Sequence, residues 1–246
     1  MKKLLYLAAF LLIAANAQSQ NQEFKKDLPS FDQIVVSPKI NLILEEGDQE
    51  SIRVQYARID EGKINIEVNN GRLHLYLDNA RIVEKQERSN NYNSKMSIYR
   101  DAEITAYVTY TSLKGLEVRG EQEVTCLSRL ENDKFKLKVY GESEITMESL
   151  YTQKFKAVVY GENKIKIKEG KATYQRYRLY GENKIDTRAL ASSTVSTTIY
   201  GEGRLTINAS DEVRISAFGE PQINVTGTSY INKGIVIGRV DIRKNN

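Results

Sequence analysis

Apolar and polar residues alternate through the second half of this chain, and a glycine interrupts the alternation at a nearly constant interval. Phe135, Leu137 and Val139 precede Gly141 in steps of two, as Phe155, Ala157 and Val159 precede Gly161. Four and six residues beyond each glycine the alternation resumes, as Ile145 and Met147, Ile165 and Ile167, Ile185 and Thr187, then Leu205 and Ile207. Period two predicts strands that turn every second side chain toward a core, and the intervening glycine predicts a bend between two of them. The phrase around the bend recurs six times, as Arg119-Gly120-Glu121, Tyr140-Gly141-Glu142, Tyr160-Gly161-Glu162, Tyr180-Gly181-Glu182, Tyr200-Gly201-Glu202 and Phe218-Gly219-Glu220. Its glycines step by 21, 20, 20, 20 and 18 residues, the length of one turn of a stacked β-helix.

Stacked coils place equivalent residues about 4.8 Å apart. Ile145, Ile165, Ile185, Leu205 and Ile223 then form one inward row, and Cys126, Met147, Ile167, Ile207 and Val225 a second. Each such side chain contributes roughly 1.5–3 kcal/mol when fully buried. The glycines are expected at corners that need φ > 0 or close backbone approach. No long stretch carries helical periodicity. The fold class is all-β, a parallel β-helix (solenoid) of about six coils of about 20 residues each, occupying residues 117–246.

Residues 31–116 lack the repeated phrase but alternate strongly. Strands are expected at Ile34–Val36, Ile40–Leu44, Ile52–Tyr56, Ile64–Val68 and Leu73–Leu77, separated by turns at Ser37-Pro38, Glu46-Gly47-Asp48 and Asn69-Asn70-Gly71. The last of these has the composition of a hairpin turn. From Glu84 to Asp101 the chain turns polar and reads as a long exposed loop or insertion, before Ile104–Tyr110 resumes a strand. Ile235–Ile237 and Val240–Ile242 are expected in the closing coil.

At the N-terminus Lys2-Lys3, an apolar run from Leu4 to Ala15 and a small-x-small site at Ala15-Asn16-Ala17 read as a secretory signal peptide, residues 1–17. Residues 18–30 are then a mature N-terminal segment, and 31–246 one domain. No later segment is apolar enough to cross a membrane as a helix. The formal net charge is +4, and +2 without Lys2 and Lys3. Such a balance offers no electrostatic footprint for nucleic acid. Cys126 is the only cysteine, so no disulfide can form within the chain, and the residue is expected as a small buried hydrophobe. His74, the only histidine, is expected as an exposed strand residue.

Phe31-Asp32-Gln33-Ile34-Val35-Val36, followed by Ile40-Asn41-Leu42-Ile43-Leu44-Glu45-Glu46-Gly47, then Asn70-Gly71-Arg72-Leu73-His74-Leu75 and Val118-Arg119-Gly120-Glu121, resembles in content and order the head GIN domain of putative auto-transporter adhesins. The resemblance runs from Phe31 to Val225. It implies a right-handed β-helix in an exported protein and a role in surface or envelope binding, and it brings no catalytic residues. One departure stands out: the family's coils carry small residues, often Ser-Gly-Ser-Gly-Asp, where this chain has Tyr-Gly-Glu-Asn-Lys.

If Val139, Val159, Leu179 and Ile199 point inward, then Tyr140, Tyr160, Tyr180, Tyr200 and Phe218 form an outward aromatic ladder. Such a row could stack on sugar rings, or its rings could stack on one another and support the coils. Glu121, Glu142, Glu162, Glu182, Glu202 and Glu220 form a second row, where unit charges at coil spacing repel by roughly 1 kcal/mol even in water. Lys164, Lys184 and Arg204 are expected to interleave with Glu142, Glu162, Glu182 and Glu202 as ion pairs. No cofactor is implied, and calcium is the one cation that such a row could take. Acids repeated in equivalent positions suit a surface pattern better than a reaction centre. The expected function is therefore a non-catalytic, exported, periplasmic or surface protein that binds a glycan or surface polymer. A scaffold that pairs with another protein, or with itself, through the open edge of its terminal coil is the alternative, and a polysaccharide-active enzyme a more distant one.

Overall fold

The computed structural model describes residues 21–88 and 95–245; the expected signal peptide lies outside them. The chain forms a parallel β-solenoid of about seven turns. Its inward rows follow from the alternation. Val36, Val118, Val139, Val159, Leu179, Ile199 and Ala217 stack in register along one sheet. Leu44, Cys126, Met147 and Ile167 stack along a second, continued by Ile207 and Val225, and all of these are buried. A third row runs through Phe135 and Phe155, whose rings stack 6.3 Å apart, to Gln175, Val195 and Val213.

The N-terminal strands belong to this same stack, out of chain order. Gln33–Val36 lies between Arg72–Leu77 and Gly115–Gly120, parallel to both. Asn41–Glu46 likewise lies between Glu103–Tyr110 and the strand that begins at Glu123. Antiparallel strands close this end. Ile64–Asn69 folds back on Arg72–Leu77 through Asn70 and Gly71, whose φ angles of 51° and 70° are those of a two-residue hairpin turn. Ser51–Ala57 pairs with Glu103–Tyr110, and Gln22–Asp27 with Ser51–Ala57. Closing the stack this way leaves fewer unpaired backbone groups for another chain to join.

At the other end Tyr230–Gly238 and Asp241–Asn245 complete the last turn. Ile235 and Ile237 there are 65% and 62% exposed. A seventh corner glycine, Gly238, stands in register with Gly219; it is preceded by Ile237 and followed by Arg239, so it escapes the repeated phrase. The polar stretch after Glu84 holds two short paired strands, Gln86–Arg88 and Lys95–Ser97. Tyr99 anchors it, its hydroxyl donating to the carbonyl of Asp78 at 2.8 Å.

Candidate functional site

The repeated phrase builds a corner whose geometry sets everything outside it. Gly120, Gly141, Gly161, Gly181, Gly201, Gly219 and Gly238 all have φ between 97° and 131°. From Gly141 on, each lies against the one before: a Cβ on Gly161 would stand 2.1 Å from the carbonyl oxygen of Gly141. Inside the corner is a feature that the alternation does not announce, a column of buried polar side chains at Gln122, Ser143, Asn163 and Asn183. Asn183 Oδ1 accepts from the amide of Asn163 at 3.2 Å and from its side chain at 3.0 Å. Asn163 Oδ1 accepts from the amide of Ser143 at 2.9 Å. The Asn163 and Asn183 side chains donate back to the carbonyls of Tyr160 and Tyr180 at 2.9 and 3.0 Å. The column therefore satisfies backbone groups that the turn takes out of the ladder. Its signal in the sequence was an uncharged polar residue two places after each of four successive corner glycines.

Outside the corner, Tyr140, Tyr160, Tyr180, Tyr200 and Phe218 project in one row. Their rings stack on one another, with centroids 5.2, 4.3, 4.9 and 4.6 Å apart and planes within 9° of parallel. The faces of the inner rings are therefore covered by their neighbours, and the row presents ring edges and hydroxyls to solvent; Tyr160 is 38% exposed. Burial first, then the nearby Tyr180 phenol, raise the Tyr160 hydroxyl above the ordinary tyrosine range. One ring face is left over at the start of the row. Arg119 is next in register to Tyr140, but its guanidinium is held by Glu117 at 2.9 Å and by the carbonyl of Arg81 at 3.3 Å. Tyr140 there lines a cavity of about 680 Å³ together with Pro38, Ile82 and Val83.

On one side of the aromatic row lie the exposed carboxylates Glu121, Glu142, Glu162, Glu182, Glu202 and Glu220. The expected interleaving with Lys164, Lys184 and Arg204 does not form. Those cations sit in a different register row, Glu144, Lys164, Lys184, Arg204 and Gln222, on the strand beyond the corner. Lys164 reaches Glu144 at 3.5 Å, and Arg204 donates to Gln222. A two-residue offset preserves the direction of a side chain only within one strand, and here the chain turns between the two positions. Among the described residues the six carboxylates make no ion pair within 4.0 Å, and no three His, Cys, Asp or Glu side chains come together as a metal would need.

On the other side of the aromatic row the outward positions are basic. Lys136, Lys156 and Arg176 are in register across three coils. Lys134 and Lys154 pair two residues to one side of them, and Lys138 and Arg178 lie two residues to the other. The near-neutral balance of the whole chain conceals this segregation, which emerges only when the coils are stacked.

His74 is half-buried rather than exposed, with Nε2 at 3.2 Å from Ser37 Oγ. Ser37 spends its own proton on the carbonyl of Arg81 at 2.6 Å, so the imidazole is the donor. Burial, then Arg81 and Arg119, hold it below its usual pKa. Cys126 is fully buried, and burial pushes its thiol up to about 12. A thiol reagent should accordingly label this protein only as it unfolds, with labelling rising along the denaturation curve. Complete reaction within minutes in native buffer would show that the inward row is open.

These features define an all-β solenoid with a repeated, charge-segregated outer corner. The chain belongs to the family described as putative auto-transporter adhesin, head GIN domain, whose pattern matches residues 30–229. Solved structures share the fold at low identity. A putative adhesin from Bacteroides fragilis NCTC 9343 is 18% identical with a TM-score of 0.73, covering 92% of this chain and 97% of that one. A putative adhesin from Parabacteroides merdae ATCC 43184 is 16% identical with a TM-score of 0.68, covering 93% and 98%. A third, from Parabacteroides distasonis ATCC 8503 and described as a putative lipid binding protein, is 12% identical with a TM-score of 0.62, covering 93% and 98%. No curated protein matches the sequence significantly.

Proposed function

We propose that this is an exported, adhesin-like, non-catalytic protein of the cell envelope that binds a glycan or surface polymer along its glycine corner. The observation that carries the reading is the repetition of one outward pattern in register over successive coils, phenol edges flanked by charged side chains. A polymer can engage such a face weakly at each coil and sum the contacts. The adhesin-like family supports a binding role, and the acids occur as equivalent copies rather than as one distinct pair. No helix of the described residues is long and apolar enough to cross a membrane, which agrees with export into an aqueous compartment or onto a surface.

The test is a glycan array probed with the mature protein, with and without calcium, alongside the double variant Tyr160→Phe/Tyr180→Phe. That variant keeps the stacked rings and removes two hydroxyls, so binding should fall roughly tenfold, the weight of one or two hydrogen bonds, while the melting temperature holds. Binding unchanged by the double variant would take the aromatic row out of the site. A blank array in both conditions would sink the glycan reading and favour protein interaction through the exposed Ile235 and Ile237 of the last coil.

A further inference from the structure

We propose that the ligand is a polyanionic glycan, a sugar chain bearing carboxylate, sulfate or phosphate groups, held on the basic sheet face beside the aromatic row. This rests on the glycan-binding reading and assigns the charge class and the side of the corner.

Seven cations, Lys134, Lys136, Lys138, Lys154, Lys156, Arg176 and Arg178, occupy outward positions of three adjacent parallel strands. Neighbours across coils are about 4.8 Å apart, and neighbours along a strand, two residues on, about 6.6 Å. One acid faces the group from the coil before: Glu117, in register with Lys138 and bonded to it at 3.0 Å. Glu117 is shared with Arg119, at 2.5 Å, so it leaves the array without a free counter-charge. Among the described residues the other six cations make no ion pair within 4.0 Å. On the C-terminal side the rows run on into Thr194, Ser196 and Thr198, which add no charge. Lys156, near the centre of the array, is half-buried, and burial followed by the positive charges of Lys136, Arg178, Arg176 and Lys138 lowers its pKa.

Like charges at these separations destabilise the fold unless something offsets them. The carboxylates of this chain are available, but they lie beyond the aromatic row at Glu142, Glu162 and Glu182 and make no pair with these cations. A surface that keeps its cations and anions apart is arranged for an external partner. The strands of this face are hydrogen-bonded on both sides, so an extended peptide finds no free edge there. Single-stranded nucleic acid binds by base stacking on open aromatic faces, and here the inner ring faces are covered. Duplex DNA would gain phosphate contacts but no helix or ribbon for its grooves. An anionic sugar chain needs only what the face offers: cations for its acidic groups and phenol hydroxyls for its hydroxyls.

The experiment measures binding of the full mature chain to heparin, polygalacturonate, neutral dextran and a double-stranded DNA, at low and at near-molar salt. Heparin and polygalacturonate should bind and be released by salt, as counterion-dependent association requires, and dextran should not. Lys156→Glu/Arg176→Glu should lose roughly tenfold or more in affinity, and Lys156→Gln should lose affinity while melting no lower than the wild type, since it relieves repulsion. Lys184→Glu, beyond the corner, should bind as the wild type does. Dextran bound as well as polygalacturonate, or anionic binding unmoved by the charge variants, would overturn the basic face and leave the glycan reading standing. DNA bound more tightly than either acidic polysaccharide would overturn the ligand class. No binding to any of the four would overturn the proposal, and the glycan array then decides the broader reading separately.

Discussion

Gly161→Ala should destabilise this protein by about 2–6 kcal/mol, the sum of a strained backbone and an overpacked contact. The φ of 105° at Gly161 lies where a side chain is strained whatever the space around it. There is also no space: the added Cβ would stand 2.1 Å from the Gly141 carbonyl oxygen and 3.0 Å from its carbon. That carbonyl cannot swing aside freely, because it accepts the amide of Glu162 at 3.0 Å. Relief requires the two coils to part, which would also disturb the Tyr140–Tyr160 stack and the buried bonds of Asn163. At roughly 2–4 °C per kcal/mol for a chain of this size, the melting temperature should drop by about 5–20 °C. Gly62→Ala is the control, since its Cβ would meet only Asp60 Oδ1 at 3.5 Å; it should melt close to the wild type. If Gly161→Ala melts within 2 °C of that control, about the width of 1 kcal/mol, the close approach of the corner glycines is not a constraint on stability.

The same corner shows what could be read from sequence. The glycine spacing and the period-two rows gave coil length, the inward residues and the outward direction of Tyr140 to Phe218, because each is a local consequence of strand geometry. What the outward residues face is not local. Whether Tyr160 stacks on Tyr180 or on a ligand depends on rotamers that no spacing specifies. Lys164 and Glu162 share a direction only if the chain between them is straight, and the turn defeats that inference. The basic face needs Lys136, Lys156 and Arg176 side by side, which follows from the register once the coils are aligned. The placement of Gln33–Val36 between Arg72–Leu77 and Gly115–Gly120 was illegible for a different reason. Alternating strands state which face is buried but not which strand lies alongside.

Tyr177 is where the inward pattern breaks, and Tyr177→Phe should cost about 1–3 kcal/mol although it removes a single oxygen. The residue stands in register between Ala157 and Thr197, two small neighbours that leave room for its ring in the core. It is fully buried, and its hydroxyl donates to Gln175 Oε1 at 2.5 Å and lies 2.8 Å from Thr187 Oγ1. Gln175, also fully buried, uses its amide nitrogen on the carbonyl of Leu190 at 2.9 Å. With phenylalanine at 177, Gln175 Oε1 would be left in the core without its donor, and that desolvated acceptor is the source of the cost. Tyr110→Phe makes the identical chemical change at another buried tyrosine, with the opposite expectation. Among the described residues the Tyr110 hydroxyl is buried with no hydrogen-bond partner, so removing it should leave stability unchanged or raise it by up to about 1 kcal/mol. Denaturant titration of the two variants side by side reads the difference directly. Equal effects would mean that the hydrogen bonds of the Tyr177 hydroxyl add nothing over an unpartnered buried hydroxyl, whereas opposite signs would show that the solenoid core depends on this hydrogen-bonded exception to its apolar rows.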